Sequence, residues 1–191
     1  MRYLCFLVIL VGFSQLAQAQ SSANWSVRFE PLYGVEHTQN RYPEPARYTT
    51  RTFFGLRALA GVPLLSAELE ATQSNGRRDY PANDQKVEDQ VQRAMLGLRS
   101  TYALSSYLGF FLRAGARATK QKTTITDTAT DEKEVKEPPL YWDPYAGTGL
   151  QIALGQNLAL NAGATWIFPS AGGRPDVQYA FGFTVKFGSV R

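Results

Sequence analysis

The chain carries a single histidine, His37, preceded by Glu36, and the only suggestive partners for histidine-assisted nucleophilic chemistry are Ser74 and Asp79. A catalytic histidine needs a hydroxyl within hydrogen-bond reach and an acid behind it. No local motif ties these three residues together, and a His-x-Ser arrangement is absent because Thr38 and Gln39 follow His37. His37 is therefore the one candidate catalytic residue, and its plain reading is a solvated loop histidine. One imidazole cannot found a metal centre except through carboxylates, and no spacing suggests one. No cofactor is expected. Gly147-Thr148-Gly149 lies within a strand-like stretch rather than ahead of a helix, which points to close strand packing and not to a phosphate loop.

The other residues able to do chemistry are charges repeating at even spacing. Arg113 and Arg117 share a side with Gly109, Phe111 and Gly115, while Leu108, Phe110, Leu112, Ala114, Ala116 and Ala118 take the other. In a helix those arginines would sit beside leucines; in a strand they occupy one face opposite an apolar one. The segment 177–187 repeats the design, with Val177, Tyr179, Phe181, Phe183, Val185 and Phe187 against Gln178, Ala180, Gly182, Thr184 and Lys186. Upstream, Leu158, Leu160, Ala162, Ala164, Trp166 and Phe168 oppose Ala159, Asn161, Gly163 and Thr165. Before them, Leu140, Trp142, Ala146, Thr148, Leu150 and Ile152 oppose Tyr141, Asp143, Tyr145, Gly147, Gly149 and Gln151. Pro144 should mark a bulge or an unpaired position in that strand. Weaker alternation at residues 27–35, 54–60, 65–71 and 94–98 brings the number of expected strands to eight.

The connections alternate in length. Polar stretches at 37–50, 74–90 and 120–139 follow the first, third and fifth strands, and residues 123–137 are expected to be mobile. Short turns at 61–64, 100–106 and 154–157 follow the even ones. Such alternation suits a membrane barrel with both termini on the short-turn, periplasmic side.

The first residues give the address. Met1-Arg2, an apolar run from Leu4 to Phe13, and Ala17-Gln18-Ala19 form a signal peptide over 1–19, leaving a barrel domain over 20–191. The run is too short for a membrane helix, which needs roughly 20 apolar residues. Cys5, the only cysteine, leaves with the leader, so the mature chain has no disulfide or thiolate site. The chain has 20 Lys and Arg against 16 Asp and Glu. Losing Arg2 leaves a formal charge of +3 (19 minus 16), which gives no case for nucleic acid.

In hydrocarbon every backbone N–H and C=O must be paired, so strands that cross a membrane have to close into a barrel. Eight strands leave an interior wide enough only for side chains. The alternation assigns Arg28, Glu30, Glu36, Arg57, Glu68, Glu70, Arg93, Arg99, Arg113, Arg117, Asp143 and Lys186 to that interior. Opposite charges are available, so an ion-paired plug is the expected filling. Outward aromatics at Trp25, Tyr33, Trp142, Trp166, Phe168, Tyr179 and Phe187 suit the girdles at membrane interfaces. A soluble lipocalin-like barrel would show the opposite facing.

The hairpin from Tyr145 to Trp166 and a closing strand with Gly182, Val185 and Phe187 make the chain resemble the OmpA/OmpX-type eight-stranded outer-membrane β-barrels over roughly Trp25 to Phe187. The closing spacing is similar to the C-terminal signal read by the barrel-assembly machinery, although Gly188-Ser189-Val190-Arg191 follows the terminal aromatic. The resemblance implies an all-β, eight-stranded antiparallel transmembrane barrel in a Gram-negative outer membrane, in contact with its lipid and lipopolysaccharide. It implies a structural or surface-interaction role through the outer loops; the sequence does not reveal which extracellular ligand they bind, or whether they bind one. Some barrels of this type modify lipid A, so a palmitoyltransferase-like site built on His37, Ser74 and Asp79 is one alternative. A narrow porin-like pore is another.

Overall fold

The computed structural model describes residues 25–40, 47–80, 84–170 and 172–190; the expected leader at 1–19 lies outside them. Among the described residues nine strands run in chain order: β1 (Trp25–Asn40), β2 (Arg47–Val62), β3 (Leu65–Tyr80), β4 (Gln85–Ala103), β5 (Leu108–Asp127), β6 (Lys133–Lys136), β7 (Tyr141–Ala153), β8 (Leu158–Ile167) and β9 (Asp176–Val190). All pairings are antiparallel. The β1–β9 and β4–β5 ladders close eight strands into a ring, and β6 hangs on the outer end of β5. The protein is thus an eight-stranded antiparallel β-barrel, with no free edge in the ring.

Period-two facing runs through the wall. In β3 and β4, exposed and buried residues alternate almost without interruption: Leu65, Leu69, Leu96 and Leu98 are exposed, while Glu68, Glu70, Arg93 and Arg99 are buried. Two glycines let bulky interior side chains lie against the wall. A Cβ on Gly34 would stand 2.5 Å from the Phe53 ring, and one on Gly149 would stand 2.3 Å from Phe111. Just before the tight β2–β3 turn at Pro63 and Leu64, Gly61 takes φ +137°, where a side chain would be strained.

Two expectations differ from the structure. Pro144 makes no bulge: it keeps register opposite Ala116, its carbonyl accepts from Phe168 N at 2.9 Å, and the register shift lies instead between Trp25 and Val27 against β9. Because the proline replaces only one donor, the ladder absorbs it. The polar stretches at 37–50, 74–90 and 120–139 are also largely strand. β3, β4 and β5 run on to Tyr80, back to Gln85 and on to Asp127, and residues 123–127 and 133–136 pair with each other or with β4. The outer face of these extensions is polar and the inner face mixes Val87, Val91 and Ile125 with Asp89 and Thr123, so the hydrophobic alternation that marks a strand fades while the hydrogen-bond ladder continues.

Candidate functional site

The barrel interior is a charged core. Arg28, Glu30, Arg57, Glu68, Glu70, Arg93, Arg99, Arg113 and Arg117 are all buried, none more than 6% exposed, while Lys186 is half-buried. At its centre three carboxylates meet three guanidinium groups. Arg57 Nη1 and Arg99 Nη1 each donate to Glu30 at 2.8 Å, on Oε2 and Oε1 respectively. Arg57 Nη2 lies 2.7 Å from Glu70 Oε2, and Arg113 Nη2 lies 2.6 Å from Glu68 Oε1 and 2.8 Å from Glu70 Oε2. Uncharged donors fill remaining acceptor sites: Thr184 Oγ1 reaches Glu30 at 2.7 Å and Tyr145 OH reaches Glu68 at 3.0 Å. The Arg99 guanidinium also lies 3.8 Å above the Phe111 ring centroid. At this centre the mutual pairing and hydrogen bonding of the three carboxylates and three guanidinium groups offset the cost of burying them.

A second tier sits toward the long-connection end. Arg93 Nη2 donates to Glu36 Oε1 at 2.6 Å, with Ser74 Oγ donating to the same oxygen at 3.0 Å and Gln178 Nε2 to Oε2 at 3.2 Å. Arg117 Nη2 bridges Asp143 and Asp176, each at 3.2 Å. Arg51 meets Asp89 at 3.0 Å, and Thr123 Oγ1 donates to the other Asp89 oxygen at 2.6 Å. Sequence reasoning missed Arg51, Asp89 and Asp176. The even spacing that joins Arg51 to Phe53 and Arg57, and Asp89 to Val91 and Arg93, was the available signal.

His37 and its suggested partners do not form a site. His37 is exposed, bonds Thr50 Oγ1 through Nδ1 at 3.2 Å and stacks on Tyr48 with ring centroids 5.2 Å apart. Ser74 is buried on the lumenal side of the wall in the Glu36–Arg93 cluster, and Asp79 is exposed further along β3. Among the described residues no group of three His, Cys, Asp or Glu could hold a metal ion.

Outside, the polarity is reversed. Trp25, Tyr33, Phe54, Leu69, Leu96, Leu112, Trp142, Leu160, Trp166, Tyr179, Phe181 and Phe187 are exposed. Along β5 the outward row from Leu108 to Ala118 is apolar and gives way at Lys120, whose register neighbours are Gln92 and, beyond it, Gln73. At ~3.3 Å per residue and a tilt of ~40°, that row is about 25 Å tall, the height of a membrane barrel's apolar band.

No family model and no curated protein matches the chain. Solved structures do match its architecture. Ail, the attachment invasion locus protein of Yersinia pestis, superposes with a TM-score of 0.56 at 12% identity, covering 86% of this chain and 99% of Ail. The fold is that of the small outer-membrane β-barrels. OprG from Pseudomonas aeruginosa matches at TM-score 0.57 and 15% identity, over 87% of this chain and 97% of OprG. Neisserial surface protein A matches at 0.54 and 14%, over 85% of this chain and 97% of that one. At these identities the likeness concerns architecture: the ring of eight strands is shared, while the residues that fill it here are read from this chain itself.

Proposed function

We propose that this protein is exported by a leader over residues 1–19, inserts in the outer membrane of a Gram-negative bacterium as a closed barrel over residues 20–191, and acts at the cell surface through the strands that rise past the membrane. The observation that carries this reading is the reversal of polarity: paired charges within, and an apolar belt with aromatic residues at its rims outside. A soluble barrel with this exterior would expose far more contiguous apolar surface than soluble monomers tolerate. The lumen supports a plug rather than a pore, because Glu30, Glu68 and Glu70 are cross-linked by Arg57, Arg99 and Arg113 at the barrel's centre.

What projects is substantial. Past Lys120, β5 continues for seven residues to Asp127, carrying β4 and β6 on its two sides. That sheet is the surface on which recognition would occur. The test has two parts. Native protein should fractionate with outer membranes and migrate differently before and after boiling, and pure protein in planar bilayers should give no stable conductance. Recovery in a detergent-free periplasmic extract overturns the membrane assignment. A steady single-channel conductance overturns the plug.

A further inference from the structure

The short-turn mouth of the barrel holds cations that the ion-pair network leaves over. Six buried arginines, Arg51, Arg57, Arg93, Arg99, Arg113 and Arg117, each have a carboxylate within 4 Å. The seventh, Arg28, has none among the described residues; one of its amino groups donates to Ser66 Oγ, and its buried Nε has no hydrogen-bond partner. Its register neighbour across β1–β9 is Lys186, which likewise has no carboxylate partner among the described residues. The next acid on the same face of β1 is Glu30, whose oxygens are already held by Arg57, Arg99, Thr184 and Asn161.

Arg28 and Lys186 line a cavity of about 190 Å³ at this mouth, together with Ser26, Thr101, Gln151 and Asn157. No carboxylate contributes to its wall. Thr101 is 8% exposed, and its hydroxyl, like Arg28 Nε, is buried without a partner. Two cations, three hydroxyls and three side-chain amides line a small cavity with no anionic acceptor. What sets Arg28 apart is the missing carboxylate, and a buried guanidinium without a counter-ion is costly unless an anion completes it.

From this geometry we infer that the mouth is a binding site for a phosphate-class oxyanion, held between Arg28 and Lys186 and capped by the Thr101 hydroxyl. The site faces the same end as the β2–β3 and β7–β8 turns, through Pro63 and Gln156, so its ligand arrives from the short-turn side. The inference depends on the lumen's mouth alone and stands apart from the surface role proposed above.

The experiment is a titration of the folded full-length barrel in zwitterionic micelles with inorganic phosphate, followed by NMR at the Arg Nε–H and Lys Nζ resonances. A parallel arm adds a short-chain phosphatidylglycerol in place of phosphate. Saturable shifts at Arg28 and Lys186 are expected in at least one arm, and the arm that saturates identifies the source of the phosphoryl group. Arg28→Gln and Lys186→Gln should each weaken binding by about tenfold or more, the loss of one charge-assisted contact. Lys186 sits half-exposed at the rim, so Lys186→Gln keeps the test decisive if Arg28→Gln fails to fold. Lys120→Gln, on the outer wall, should bind as the parent does. Absence of saturation in both arms, or equal affinity in the parent and Lys186→Gln, overturns the site.

Discussion

The belt and the strands that rise above it are built from the same ladders yet solve opposite solvation problems. In the belt, β3, β4 and β5 put Leu69, Leu96 and Leu112 outside and Glu68, Arg99 and Arg113 inside. Above it, the same strands put Asn75, Arg77, Glu88 and Lys122 outside, while Val87, Val91 and Ile125 join Asp89 and Thr123 inside. The backbone does not change; the medium assumed by the side chains does. Where the outside is hydrocarbon, polar groups must gather inside and pair. Where the outside is water, burial of aliphatic carbon again supplies the stabilisation.

The largest expected effect is in the charged core. Arg113→Leu leaves Glu68 and Glu70 short of a partner and should destabilise the barrel by about 3–5 kcal/mol, read from urea unfolding in vesicles. A loss under 1 kcal/mol would mean that this network is solvated rather than buried. Next is the facing of the wall. Phe181→Arg puts a cation on the apolar belt and should cost about 2–4 kcal/mol of insertion near the bilayer midplane. Asn75→Arg, on the outward face above the belt, should insert normally. Equal insertion of the two variants would erase the distinction between the regions. The smallest effect is in the upper core, where Ile125→Ala should cost about 2 kcal/mol and act locally. Hydrogen exchange should quicken along the outer parts of β4 and β5 and stay unchanged at Leu96 and Leu112; uniform quickening would show that the extension is not a separate packing unit.

The same contrast explains what could be read from the sequence. β7, β8 and β9 were legible because the belt gives one face to apolar residues, from Leu158 to Trp166 and from Val177 to Phe187, and period two stands out. Arg51 and Asp89 were not, because the outer face there is polar and the inner face mixes charged residues with Phe53, Val87 and Val91, so the alternation carries little hydrophobic contrast; Asp176 stands at the first position of β9, ahead of the apolar row. Residues 123–127 read as a mobile loop for that reason, although Thr123, Thr124, Ile125 and Thr126 are β-branched residues suited to a strand. The pairing of Arg57 with Glu30 and Glu70 follows from register, and a single chain with eight strands does not reveal register. His37 was legible as a residue but not as a position: only the wall's facing separates it from Ser74.

The central claim is that hydrocarbon surrounds the belt, and the three tryptophans report on it without any substitution, since Trp25, Trp142 and Trp166 all stand on the outer wall. Protein folded into vesicles of phosphatidylcholine carrying brominated acyl chains should lose most of its tryptophan fluorescence relative to unbrominated vesicles, while aqueous iodide should have little effect. Fluorescence untouched by the brominated lipid and quenched by iodide would place the belt in water and contradict the account.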